Sequence, residues 1–227
     1  MLTLYVGNKN YSSWSLRPWL LLRALDIPFD ERLLPFGDES VWAGFRALAP
    51  AGKVPALVDE GRLVWDSLAI VEYLAERHPG VWPADPDARA WARCAAAEMH
   101  SGFGALRSRC GMNLGIRVRL HEFPPALAAD VARVDALWAE GLHRFGGPWL
   151  AGAAFSAVDA FFAPVAFRVQ SYGLSLGPAA AAYADRLLAH PGMQQWAAAG
   201  LAETFRDAEH EAECRAAGEW TADLRRS

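Results

Sequence analysis

Cysteine is scarce: Cys94, Cys110 and Cys214 are the only three in 227 residues. They are odd in number and widely spaced, and none has a second cysteine or a histidine at metal-ligand spacing. Neither a disulfide scaffold nor a metal site is expected, and reduced thiols are the simplest state. Long hydrophobic runs are missing too. The apolar stretch 153–167 is broken by Asp159, and no basic segment precedes the apolar residues at the start of the chain. Neither a membrane span nor a secretion signal is expected, which points to a soluble, cytoplasmic protein with no membrane partner. Positive charge is not in excess. With 22 Lys and Arg against 26 Asp and Glu, the net charge of -4 offers no broad attraction for phosphate backbones, so nucleic acid is not an expected partner. Repeats and low-complexity tracts are absent as well.

What is present is apolar material, 53% of the residues, enough for one large or two modest cores. The first third alternates strand-like and helix-like runs. Strands are expected over 2–6 and 29–34, helices over 15–25 and 39–48, then two short strands, 56–58 and 63–65, and a helix over 68–77. Asp59-Glu60-Gly61-Arg62 suits a hairpin turn between the two short strands. The order βαβαββα implies one small mixed sheet flanked by helices. Residues 78–87 carry Pro79, Gly80, Pro83 and Pro86, and read as a linker. Beyond it the pattern is helical: 88–111, 125–145, 156–172, 179–189 and 193–205, with a short helix or loose tail at the end.

The chemistry is concentrated between the first strand and the first helix, in Asn10-Tyr11-Ser12-Ser13-Trp14-Ser15-Leu16-Arg17-Pro18. Proline is tolerated without a kink only where its missing N–H has no partner in the helix, so the helix is expected to start near residues 15–17. Ser12 and Ser13 would then lie just before a helix N-terminus, where free N–H groups and the macrodipole favour an anion such as a thiolate. Taken by themselves, the serines read equally as turn and cap residues.

The βαβαββα order, the Ser-Ser-x-Ser-x-Arg run, Lys53-Val54-Pro55 before the third strand and Asp66-Ser67 opening the third helix together resemble the cytosolic glutathione transferase family. The similarity is nearest its serine-type members, the zeta class in particular. It implies an α/β plus all-α fold: a thioredoxin-like glutathione-binding domain over 1–78, a linker over 79–87, and a glutathione-transferase helical domain over 88–227 that completes the electrophile pocket. It also implies glutathione as co-substrate, a small electrophile as its acceptor, and a homodimer active in detoxification. By the same resemblance Val54 pairs its backbone with the cysteinyl part of glutathione, Pro55 is cis, and Asp66 and Ser67 take the γ-glutamyl end, Ser67 as N-cap. Lys53 suits a glycyl carboxylate or a solvated loop. Ser12 aligns with the catalytic serine and Ser13 joins the glutathione-binding set, although the two could exchange roles. Trp14 stands where the zeta pattern has cysteine, which sets the chain apart from the class that isomerises maleylacetoacetate.

The implied reaction is conjugation, with the Ser12 hydroxyl favouring the glutathione thiolate. Lowering a thiol pKa from ~8.5 to ~6.5 takes about 2.7 kcal/mol, within reach of a charge-assisted hydrogen bond plus a helix dipole. Isomerisation, or glutathione binding without turnover, are the alternatives. Walls for the electrophile are expected from Trp14 and from the first helix of the second domain, where Met99 and Phe103 share a face and Arg107 could meet an acidic group. Ser156 and Asp159 have the spacing of a capping box and are assigned to stability.

Overall fold

The computed structural model describes residues 1–225. β1 (Leu2–Val6) runs into α1 (Ser13–Ala24), then come β2 (Phe29–Leu33), α2 (Glu39–Leu48), β3 (Ala56–Asp59), β4 (Arg62–Trp65) and α3 (Ser67–Ala75). The sheet order is β2-β1-β3-β4, with β1 parallel to β2 and antiparallel to β3, and β3 antiparallel to β4. Period-2 burial explains β1: Leu2, Leu4 and Val6 face the core while Thr3 and Tyr5 are half-covered. Thus the βαβαββα unit forms as its sequence pattern implies.

Two local expectations fail here. α1 begins at Ser13, not near residues 15–17, and carries Pro18 inside it. An interior proline costs ~3 kcal/mol, but the helix buries Leu16, Trp19, Leu20, Leu21 and Leu22, each worth about 1.5–3 kcal/mol, so packing wins. The second concerns α3, whose N-cap is Asp66: its Oδ1 accepts from Leu68 N–H at 2.8 Å, and Ser67 is the first helical residue. Asp and Ser cap about equally well, and the chain makes its turn at Asp66, φ 74°, one residue earlier than expected.

The second half starts slightly early, because Asp85 caps α4 (Pro86–Ser101) and ends the proline-rich stretch. The helix expected over 88–111 is two pieces. Gly102 ends α4, Phe103 turns left-handed at φ 56°, and α5 (Gly104–Arg109) leaves in a new direction. Flanking glycines, each ~1 kcal/mol poorer than Ala in a helix, make the break cheap. Next come β5 (Ile116–Leu120), α6 (Pro125–Phe145), α7 (Ala157–Tyr172), α8 (Pro178–Leu188), α9 (Pro191–Ala202), α10 (Ala208–Ala217) and β6 (Gly218–Asp223). The helical half therefore holds an antiparallel ribbon of β5 and β6, and of the two readings for the last stretch the short helix forms, as α10, with the strand β6 after it. Among the described residues no helix is long and apolar enough to cross a membrane.

α7 is the core helix: all its residues except Val169 and Gln170 are buried, and it packs on α1, α4 and α8. Its start is the capping box of Ser156 and Asp159. Asp159 is fully buried and accepts from Leu150 N–H (3.0 Å), Ser156 N–H (2.9 Å) and the Tyr183 hydroxyl (2.9 Å). Burial pushes its carboxyl up to about 6 from 3.8, against those hydrogen bonds. Between these values the unfolded chain ionises first, so the group's contribution to stability declines as pH rises from 4 to 6 and is level above.

Asp159→Ala strands three buried donors and is expected to lower the unfolding free energy by about 3 kcal/mol or more, with glutathione affinity of the folded fraction unchanged. Denaturant unfolding together with a glutathione titration checks this, and a selective loss of affinity contradicts it. Against Asp159→Asn, the wild-type advantage should shrink between pH 4 and 6.5.

Candidate active site

The loop between β1 and α1 is tied down by the second half of the chain. Tyr11 and Ser12 N–H both donate to the Asn8 carbonyl (3.0 and 2.8 Å), closing a turn. Asn10, fully buried, donates from Nδ2 to Asn113 Oδ1 at 2.9 Å and accepts from Gly115 N–H at 3.1 Å. The Glu203 carboxylate takes the N–H groups of Lys9 (2.7 Å) and Asn10 (3.2 Å). This fixes Ser12 at the N-cap of α1 and Ser13 as its first residue. Ser12 Oγ lies 2.7 Å from Ser15 Oγ, which accepts from Gly7 N–H at 3.1 Å. A hydroxyl pair can be polarised in either direction, so Ser15 can support a Ser12 hydroxyl that donates elsewhere.

Ser12, Ser13 and Trp14 line a cleft of about 710 Å³ with Lys53, Val54, Phe36, Trp42, Arg107, Met112, Arg168 and His210. A neighbouring cavity of about 400 Å³ is bounded by Pro55, Asp66 and Ser67, and shares Trp14, Lys53, Val54 and Arg107 with the cleft. Every residue expected at the glutathione site is thus brought to one of two adjoining cavities. Two of the expected pocket residues are not. Met99 is 1% and Phe103 6% exposed, and both are packed in the core, Met99 on α4 and Phe103 at the break after it, so the shared helix face expected of them does not form. Trp14 and Arg107 do line the cleft.

The electrostatics centre on Trp14. The Arg17 guanidinium lies 4.1 Å and that of Arg107 4.7 Å from its ring centroid. Arg17 is buried, also stacks on Phe161 at 4.9 Å, and has no hydrogen-bond partner for Nε or Nη1 among the described residues. Burial, then the like charges of Arg168 and Arg107, hold its pKa down to about 9, with Asp66 pulling the other way. Arg168, also buried, donates from Nε to the Cys110 carbonyl at 2.8 Å, and burial lowers it to about 10. Three arginines therefore converge on this region, and its acids are Asp66 and Glu213. His100 Nε2 sits 3.5 Å from Asp66 Oδ2, and burial pushes its pKa below the ordinary value while Asp66 pulls the other way. The Tyr11 hydroxyl donates to Glu211 at 2.7 Å, and burial and that carboxylate raise its pKa to about 12. It is committed to structure.

The second cavity presents several polar groups without a partner among the described residues. The Val54–Pro55 bond is cis, and the Val54 N–H and C=O have no partner among the described residues. Asp66 holds a left-handed φ of 74°, and the Ser67 hydroxyl beside it is buried and unpartnered. An extended ligand that pairs with Val54 and presents a charged terminus to Asp66 and Ser67 fits these groups.

Residues 11–77 match the family model of the glutathione S-transferase N-terminal domain. The maleylacetoacetate isomerase of Pseudomonas aeruginosa is 32% identical over 206 residues, covering 85% of this chain and 93% of that protein. The chain belongs to the cytosolic glutathione transferase family. Its zeta class lies nearest: a zeta-class glutathione S-transferase of Euphorbia esula is 29% identical over 166 residues, 72% of this chain and 73% of that one. Among solved structures, a glutathione transferase homolog from Burkholderia with bound glutathione superposes with a TM-score of 0.65 at 24% identity, over 88% of this chain and 97% of that one. As a glutathione S-transferase, the chain has the family's thioredoxin-like unit and helical half.

Four residues of this transferase's cleft gave no clear signal in the sequence. Phe36 comes from the β2–α2 connection, Trp42 from α2 itself, and His210 from the stretch read as a short helix or loose tail. Arg168 follows the apolar run of α7, and a buried cation in an otherwise apolar helix was the one available hint. Because Arg17 is buried with no hydrogen-bond partner for Nε or Nη1 among the described residues, Arg17→Met is expected to leave the ligand-free transferase at least as stable, by up to ~3 kcal/mol. Chemical denaturation decides this, and a destabilised variant overturns it.

Proposed function

We propose that this transferase is a glutathione-dependent cis–trans isomerase acting on an unsaturated dicarboxylic acid of the maleylacetoacetate type. The observation that carries this reading is the arginine pair, Arg107 and Arg168, which lines one cleft with Ser12 and Ser13, while Arg17 packs on Trp14. A dianionic substrate gains charge-assisted hydrogen bonds there, whereas a neutral aromatic electrophile does not use them. The likeness to maleylacetoacetate isomerases supports the same substrate class.

In this reading Ser12 donates to the glutathione sulfur, backed by Ser15, with the N-terminus of α1 favouring the thiolate. Ser13 lies beside it, Val54 pairs with the cysteinyl part, and Asp66 and Ser67 hold the γ-glutamyl end. Lys53, exposed at the mouth, meets the glycyl carboxylate. The thiolate adds to the double bond, the new single bond rotates, and elimination returns the trans isomer and free glutathione. A second reading, conjugation of a small aromatic electrophile, is favoured by the apolar wall of Phe36, Trp42 and Met112.

Glutathione consumption separates the two. Isomerisation of maleylacetoacetate should proceed with glutathione unchanged in amount, while conjugation of 1-chloro-2,4-dinitrobenzene spends one per turn. Conjugation alone overturns the isomerase reading, and retention on glutathione resin without either reaction points to a binding protein. Ser12→Ala should cost roughly 10²-fold in kcat/KM and move the pH profile toward that of the free thiol. A larger loss at Ser13→Ala exchanges their roles.

We also propose a homodimer built on the β4–α3 face. Trp65 is 55% exposed there, beside Leu63, Val64 and Leu68. Exposed apolar surface of this kind is rarely left to water. Trp65→Glu is expected to shift the native mass toward that of one chain, and an unchanged mass rules this face out.

A further inference from the structure

At the rim of the cleft, the first turn of α10 presents an imidazole. Asp207 is the N-cap and His210 the third residue of that helix. Asp207 Oδ1 accepts from His210 N–H at 3.1 Å and lies 2.8 Å from His210 Nδ1. One carboxylate oxygen therefore fixes both the helix start and the ring. Nδ1 is turned to Asp207, which leaves Nε2 as the open nitrogen, and nothing among the described residues pairs with it. The ring lies parallel to Phe36, at 1° with centroids 6.0 Å apart, and rests on Tyr11 at 5.1 Å. His210 lines the same cleft as Ser12 and Ser13.

The helix that carries it is anchored to the serine loop itself. Glu211, the next residue, accepts from the Tyr11 hydroxyl at 2.7 Å, from Asn113 Nδ2 at 3.0 Å and from Arg225 Nη2 at 3.0 Å. Tyr11 directly precedes Ser12, so imidazole and hydroxyl are held in fixed register. A plain helix cap accounts for the bond from His210 N–H. It accounts for neither the ring bond to the same oxygen nor the presentation of the ring in the cleft. An imidazole oriented by a carboxylate through Nδ1, with Nε2 open, is the arrangement in which histidine transfers protons.

We propose that His210 is the proton-transfer group of the isomerisation, oriented by Asp207 and clamped by Glu211; this rests on the isomerase reading above. As the carbon–sulfur bond forms, the π electrons of the double bond move through the conjugated system to the carbonyl oxygen. The imidazolium Nε2–H gives that oxygen its proton, leaving an enol and a neutral imidazole. After rotation the imidazole takes the proton back, the carbonyl re-forms, and the electron pair of the carbon–sulfur bond leaves with the sulfur as thiolate. No other reactant is needed, and glutathione and enzyme end as they began. The titratable and charged groups around the cleft and ring are Asp207 and Glu213 on α10, Tyr11 on the loop, and Lys53, Arg107 and Arg168 across the cleft.

The test uses the full chain, glutathione and maleylacetoacetate. His210→Gln should lower the isomerisation kcat about 10²-fold or more and alter its pH profile. Glutathione affinity by titration calorimetry and the thermal midpoint should match wild type. Conjugation of 1-chloro-2,4-dinitrobenzene, which requires no proton on a carbonyl oxygen, should be spared relative to isomerisation. Asp207→Asn should give a smaller loss of the same kind. His210→Gln within threefold of wild type and with the same pH profile overturns the proposal, as does a loss confined to stability or glutathione affinity. A wild-type chain that binds glutathione but does not isomerise fails the isomerase reading first; an active wild type equalled by His210→Gln fails this inference alone.

Discussion

The cleft depends on one buried polar unit, residues 8–12, whose partners come from Asn113, Gly115, Glu203 and Glu211. Such a network stands as a whole, because each lost partner leaves a buried amide or carboxylate unpaired at about 1–3 kcal/mol. The loop that presents the serines belongs by sequence to the thioredoxin-like half, but by hydrogen bonding it belongs to the helical half. The second half therefore does more than wall a pocket. It sets where the α1 N-terminus points, and through Glu211 it couples that setting to α10, the last helix of the chain.

The same geometry explains an unfavourable feature. A buried guanidinium without a hydrogen-bond partner opposes folding unless something offsets it, and Arg17 is offset only in part by two aromatic faces and the distant carboxylate of Asp66. Arg168 is held by the Cys110 and Pro164 carbonyls, but fold stability gives no evident reason to bring Arg17 and Arg107 beside it. A negatively charged ligand in the cleft would give Arg107 and Arg168, which line it, a partner. Trp14 makes the arrangement possible. Its ring gives both the Arg17 and the Arg107 guanidinium an aromatic contact, and the same ring is a shared wall of the two cavities.

Much of this was legible in the residues. Strand and helix order in the first third followed from period and punctuation, and the positions of Ser12, Val54, Pro55, Asp66 and Ser67 followed from the family pattern. Failures had identifiable competitors. Pro18 misplaced the start of α1 because burial of its leucines and Trp19 outweighs a missing backbone bond. Met99 and Phe103 satisfied a helical-face argument that cannot tell a cleft from a core. Ile116-Arg117-Val118-Arg119-Leu120 alternates as a strand should, but its partner is about 100 residues away, in 218–223, and a strand without a visible partner is not assigned from local pattern. Arg168 and His210 belong to the cleft through tertiary packing alone.

Trp14 also bears on which chemistry suits the site. A cysteine there would place a protein thiol beside the glutathione sulfur and permit exchange between them; an indole removes that route and leaves glutathione as the sole thiol. Addition and elimination across a double bond need only that one. Two pKa units of thiolate stabilisation supply about 2.7 kcal/mol, and part of this is given back because a weaker base is a poorer nucleophile. The larger share of any acceleration must come from holding the unsaturated carbon against the sulfur and from stabilising the charge that moves to the far oxygen. Residues facing the serine loop are therefore where turnover is decided. In this chain the polar groups among those residues include two guanidiniums and one carboxylate-oriented imidazole, and in the proposed reading they meet an acid whose negative charge shifts during reaction.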